Sequence, residues 1–169
     1  MSKFDIISIL KRIDVLVSEI QQFVPPETKG SADFRGDLGG LLVVSIASSY
    51  ESCVKETLVN YAASCHLKFG EFASKNYEKL NSRISMKDLF GYTKLFNNDI
   101  NKKFKSNHRI IQSRILRFTG QDIEKEYEKI LSWRHAYAHS GAKLTTIEEA
   151  YKTHRRAKWV LIGFNTSFN

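Results

Sequence analysis

Two side chains in the stretch Trp133-Arg134-His135-Ala136-Tyr137-Ala138-His139-Ser140-Gly141 are equipped for chemistry on a phosphodiester. The guanidinium of Arg134 can hold the charge that builds on a phosphate in the transition state. The imidazole of His139 can move protons near neutral pH. Together they suffice for cleavage of RNA without a metal. Gly141 follows closely, where helices tend to stop. Spacing alone proves little. With nine Arg and five His in 169 residues, separations of five to seven residues arise by chance about 0.8 times. The weight must come from where the pair sits.

On a regular helix a five-residue separation turns through about 500°, so Arg134 and His139 project about 140° apart. Two routes bring them over one phosphate: the helix ends or distorts just before His139, or two copies of the motif face each other across a dimer. Arg134 also shares a face with Tyr127 and Ile130-Leu131, which predicts a partly buried or interfacial guanidinium, because an unpaired buried charge is costly. The competing reading is a helix-terminal His139 on the favourable end of the dipole, with Arg134 in an internal salt bridge. His135 and His139, four residues apart, share a face as zinc-binding pairs do. A zinc site needs a further ligand, and Cys53, Cys65, His66, His108 and His154 show no recognisable metal spacing. No metal or cofactor is expected. No nucleophile elbow, phosphate-binding glycine loop or dinucleotide fingerprint is present.

The elements that must position these residues are helical. Ile6, Leu10, Ile13, Val17, Ile20 and Val24 form one stripe, predicting a helix from Lys3 to Phe23 that Pro25-Pro26 ends. A polar loop from Glu27 to Ala32 follows. Val43, Ala47, Tyr50, Val54, Leu58 and Tyr61 predict a long helix from Asp33 to His66, apolar on several faces and therefore central. Gly39-Gly40 permits a kink or a close helix contact within it. Phe69 to Leu80 reads as a shorter, aromatic-rich helix. Ser85 with Asp88 reads as an N-cap, after which Leu89, Tyr92, Phe96, Ile100 and Phe104 continue one stripe. Lys102 to Arg117 is basic, and reads as a loop entering a short helix around Ile110-Ile111 and Ile115-Leu116. Gln121 to His139 is the next helix, with Ile123, Tyr127, Ile130 and Leu131 inward. Thr146 with Glu149 is a capping box for the last, which buries Ala150, Ala157, Val160 and Leu161 and turns Lys152, His154, Arg155, Arg156 and Lys158 toward water. With no strand alternation, the fold class is all-α, a bundle of five to seven helices.

The length fits a single domain spanning 1–169, and 42% hydrophobic residues can form a core. The longest apolar run, Leu41-Leu42-Val43-Val44, is far too short to span a bilayer. Met1 to Asp5 shows no signal-peptide pattern, so a cytoplasmic location without membrane partners is expected. Cys53 and Cys65 lie roughly 18 Å apart on one helix, too far for a disulfide, and read as small buried hydrophobes. A formal charge of +8 suits a polyanionic partner, RNA above all, or plain solubility. The candidate RNA-backbone contacts are Arg109, Arg114 and Arg117, with Lys152, Arg155 and Arg156 as a second group.

Arg134 to His139, near the end of the penultimate long helix, resembles the R-x4-6-H motif of the HEPN superfamily of small all-α domains, many of them RNases. Phe34-Arg35-Gly36-Asp37-Leu38 through Leu42-Val43-Val44, with Ser49-Tyr50-Glu51-Ser52, is similar to the opening of the long second helix in the RiboL-PSP-HEPN branch. The resemblance implies a metal-independent endoribonuclease acting as a homodimer, a toxin or antiviral effector held in check by an antitoxin or regulatory protein. It implies Arg134 and His139 as the catalytic pair. His135 stands where the family usually has a polar residue, most often asparagine, and is assigned a supporting role. Glu51 falls where many HEPN domains place an acid. The alternative is a catalytically silent helical module that binds RNA or protein.

Overall fold

A computed structural model describes residues 6–26, 32–78 and 84–169. The expected helix start at Lys3, the loop from Glu27 to residue 31, the helix end at Leu80 and the N-terminal segment Met1 to Asp5 lie outside the described residues. Seven helices and no strand occur among them: α1 (Ile6–Phe23), α2 (Ala32–Cys65), α3 (Leu67–Tyr77), α4 (Met86–Phe96), α5 (Asn98–Thr119), α6 (Ile123–Ser140) and α7 (Ile147–Phe168). The all-α bundle expected from the periodicity is the fold observed.

Two helices form its centre. α2 packs against α1, α3, α6 and α7, and α7 packs against α1, α2, α5 and α6. This is why α2 carries apolar residues on several faces: Leu42, Val43, Ile46, Ala47, Val54 and Leu58 are all buried. The stripe of α1 buries Ile6, Leu10, Ile13 and Val17 against this centre. At His66 the backbone becomes extended, and the His66 Nδ1 accepts from the Lys68 N–H at 3.2 Å. α3 thereby folds back along α2.

Four expectations are corrected. The stripe from Leu89 to Phe104 is not one helix. Asn97 breaks it with an extended backbone, and its side chain caps α5 by accepting from the Asp99 N–H at 2.8 Å. Lys102 to Arg117 is not a loop entering a short helix: it lies inside the 22-residue α5. Its inner face holds polar as well as apolar groups, which interrupts the apolar period. Asn101 donates to Thr93 Oγ1 at 2.8 Å and to the Phe90 carbonyl at 3.1 Å, and His108 Nε2 meets Glu124 Oε1 at 2.6 Å. Cys65 is exposed rather than buried, since α2 ends there. Cys53 is buried, and burial pushes its thiol up to about 12, which leaves it inert as a nucleophile.

His154 is also corrected, from a wet face to the interior. Its Nδ1 lies 3.0 Å from the Tyr50 hydroxyl, and Tyr50 stacks on Tyr127 with ring centroids 5.3 Å apart. Its Nε2 has no well-formed partner among the described residues. Burial, and secondarily the charge of Lys158, lower its pKa to about 4. The unfolded chain therefore binds a proton at His154 that the folded chain refuses, between about pH 6.5 and 4. The neutral imidazole contributes its stability fully above about 6.5, and loses it as pH falls toward 4. The contribution is on the order of 3 kcal/mol. Denaturant titrations at pH 7 and pH 5 should show a clear loss in the wild type and a smaller one in His154→Gln. Equal losses would remove His154 as the cause.

Candidate functional site

The Arg134–His139 segment is positioned by how α6 begins, where it ends and what lies beneath it. Asp122 caps its start, accepting from the Glu124 N–H at 2.8 Å. Gly141 ends it in the left-handed region at φ 66°, its N–H donating to the Tyr137 carbonyl at 2.9 Å; a Cβ is disfavoured there. The helix thus runs through His139 to Ser140. Of the two routes open to the pair, a helix end or distortion just before His139 is not the one seen. The pair keeps the divergence of about 140° that a regular helix imposes.

Tyr127, Ile130 and Leu131 of α6 are buried, and Arg134, one turn beyond them, is half-buried. Across from it on α2 is Glu51. Burial raises the pKa of that carboxyl, and the charge of Arg134 acts in the opposite direction. Glu51 and Arg134 are therefore electrostatic neighbours. The charge of Glu51 also reaches the buried Tyr127, which stacks on Tyr50 and whose hydroxyl donates to the Ile84 carbonyl at 2.8 Å. His139 and His135 are exposed on the other side, with ring centroids 4.4 Å apart. Among the described residues no group of three or more His, Cys, Asp or Glu is placed to hold a metal ion.

Close approach of α6 to α2 depends on Gly40. A Cβ there would lie 2.1 Å from two ring atoms of Tyr137, so the ring rests directly on the α2 backbone. Gly39 gives the same room to the Thr145 carbonyl, 2.9 Å from where its Cβ would be. The glycine pair therefore serves a close helix contact, one of the two roles open to it from sequence. The Phe34–Leu38 stretch anchors the segment that leaves the end of α6. Lys143 pairs with Asp37 at 3.0 Å and donates to the Asp33 carbonyl at 3.1 Å. Arg35 bonds the Val24 carbonyl and the Glu148 carboxylate, joining α1 and α2 to the start of α7. Thr146 caps α7 by accepting from the Glu149 N–H at 3.2 Å, while the Glu149 carboxylate pairs with Lys129 of α6 at 2.8 Å. Sequence reasoning misses Tyr137 and Lys143 as site-positioning residues; Gly40 is the sequence signal for Tyr137, and Gly36, whose Cβ position meets the Lys143 side chain, is the signal for Lys143.

The basic candidates lie on two other helices. Arg109, Arg114 and Arg117 are exposed along α5, and Lys152 and Arg155 along α7. Arg156 is half-buried and paired with Glu126 at 3.0 Å. No helix among the described residues is long and apolar enough to cross a membrane.

No curated protein and no solved structure matches the chain significantly. The family model described as RiboL-PSP-HEPN matches residues 6–168, covering every helix of the bundle and the Arg134–His139 segment. The chain belongs to the RiboL-PSP-HEPN family, within a class of all-α domains that are often ribonucleases.

Proposed function

We propose that the protein is a metal-independent endoribonuclease whose site is completed by a second copy of the chain. One observation carries this reading: Arg134 is held half-buried beside Glu51, while His139 stands exposed on the last turn of the same unbroken helix. A pair diverging by about 140° cannot close on one phosphate from one chain, but two such pairs related by a twofold axis can. In the reaction, the 2′-hydroxyl loses its proton to His139 and its oxygen bonds to the adjacent phosphorus. The bond to the 5′-oxygen breaks, and that oxygen takes up a proton. Arg134 stabilises the charge on the non-bridging oxygens. The products are a 2′,3′-cyclic phosphate and a 5′-hydroxyl. Glu51 orients Arg134, and His135 supports His139. The chain acts as one domain. RNA is its substrate, and an antitoxin or regulatory protein restrains it in a toxin or antiviral setting.

Purified protein should cut total RNA in EDTA, leaving cyclic phosphate ends, and light scattering at micromolar concentration should give about twice the 19.4 kDa chain mass. A clean monomer that still cleaves would sink the two-chain site. A monomer that binds RNA and never cuts it would favour the second reading, a silent RNA-binding module, for which the same divergence is the reason.

A further inference from the structure

Outside the Arg134–His139 segment, α5 and α7 enclose a cleft of about 310 Å³ lined by Ile115, Thr119, Lys152, Arg155, Arg156 and Trp159. The four α7 residues fall at i, i+3, i+4 and i+7, one helical face. That spacing ordinarily marks a buried apolar stripe; here it carries three cations and an indole. Arg156 is fixed by Glu126 at 3.0 Å, whereas Lys152 and Arg155 are exposed. Trp159 is 42% exposed, although Phe164 and Phe168 further along α7 are buried. An indole left at the mouth of a basic cleft has a flat apolar face to cover and cations beside it. The group that satisfies both is a nucleotide: its base stacks on the ring and its phosphate meets the cations. The volume is at the lower end of small-ligand sites, about 300–1,000 Å³, which suits one nucleotide and no folded element.

The geometry points to this cleft as a subsite for an unpaired nucleotide of a single-stranded RNA, with Trp159 as its stacking platform and Lys152 and Arg155 on its phosphate. This deepens the ribonuclease reading, on which it rests, by separating strand holding from cleavage. Arg156 is bonded to Glu126, which precedes Arg134 by eight residues on α6, about 12 Å along the axis. The cleft thus holds a nucleotide away from the cut bond and on the same molecule.

The test is a binding measurement with His139→Ala protein, so it does not depend on cleavage. Short oligoadenylate should quench tryptophan fluorescence and bind in a salt-dependent way. Trp159→Ala should weaken binding about 5- to 100-fold with helicity unchanged, and Trp159→Phe should retain most of it. Lys152→Gln with Arg155→Gln should lower the log–log salt slope by about 1.4, from about 0.7 per contact. Unchanged affinity in Trp159→Ala would overturn the proposal, as would equal binding of an RNA duplex, whose bases are already stacked. AMP binding as tightly as the oligomer would assign the cleft to a free nucleotide and overturn the strand. Trp159-dependent binding to phosphatidylserine vesicles without RNA binding would overturn it in favour of a membrane surface.

Discussion

Mixing Arg134→Ala protein with His139→Ala protein, after subunit exchange, is expected to restore about a quarter of the wild-type RNA cleavage that each variant alone has lost. Each single variant should lose on the order of 10²–10⁴ in rate, the range for removing a general acid–base or a charge-stabilising group. Neither should unfold the bundle: His139 is exposed and Arg134 half-buried at the end of α6, beyond the buried Tyr127, Ile130 and Leu131. If each site takes Arg134 from one protomer and His139 from its partner, a mixed dimer has one site with both groups intact and one with neither. Half of the dimers are mixed and half of their sites work, hence the quarter. His135→Ala should lose less than either, in keeping with the supporting role proposed for it beside the His139 ring. Stable mixed dimers with no recovered cleavage would rule out a site shared between chains. If His135→Ala proves the inactive variant and zinc supports activity, the metal reading replaces this one.

Gly40→Ala is expected to be the most damaging small substitution away from the reacting groups. The added methyl would meet the Tyr137 ring at 2.1 Å, far inside any van der Waals contact. Tyr137 lies between Arg134 and His139, so a shift of its ring together with the backbone that carries it disturbs the last turns of α6. Overpacking of this kind costs about 1–3 kcal/mol. A lift of even about 1 Å at a reacting group can cost about 10²-fold in rate. Thermal unfolding and cleavage rates should therefore both fall, and Tyr137→Ala in the same chain should recover part of the stability without recovering the rate. Wild-type stability and cleavage in Gly40→Ala would show that α6 does not rest on α2 through this contact. Gly91→Ala is the control, since nothing lies within 4 Å of its Cβ position and it is part of neither surface.

Where local pattern and tertiary burial agree, the elements are legible in the sequence. The Ser85–Asp88 capping box and the Thr146 cap are made within three residues, and the burial of α1 and of several faces of α2 repeats at the helical period, so each leaves a local trace. The Arg134–His139 spacing, its place at the end of α6 and the αL glycine after it belong to the same kind.

Tertiary structure decided the features that depend on partners distant in sequence. The pattern of α5 misleads because Asn101 and His108 face inward, where Thr93 and the Phe90 carbonyl satisfy the first and Glu124 the second. His154 looks wet in the sequence because it stands among Lys152, Arg155 and Arg156; its burial is set by Tyr50, 104 residues away. Glu51 meets the field of Arg134 because α6 packs on α2, a contact made by the Tyr50–Tyr127 stack and by Tyr137 over Gly40. The residue types and spacing proposed to cut a phosphodiester were thus determined by the sequence. Which of them face one another was decided by packing between helices, because a polar side chain's burial depends on the group across from it and not on its neighbours along the chain.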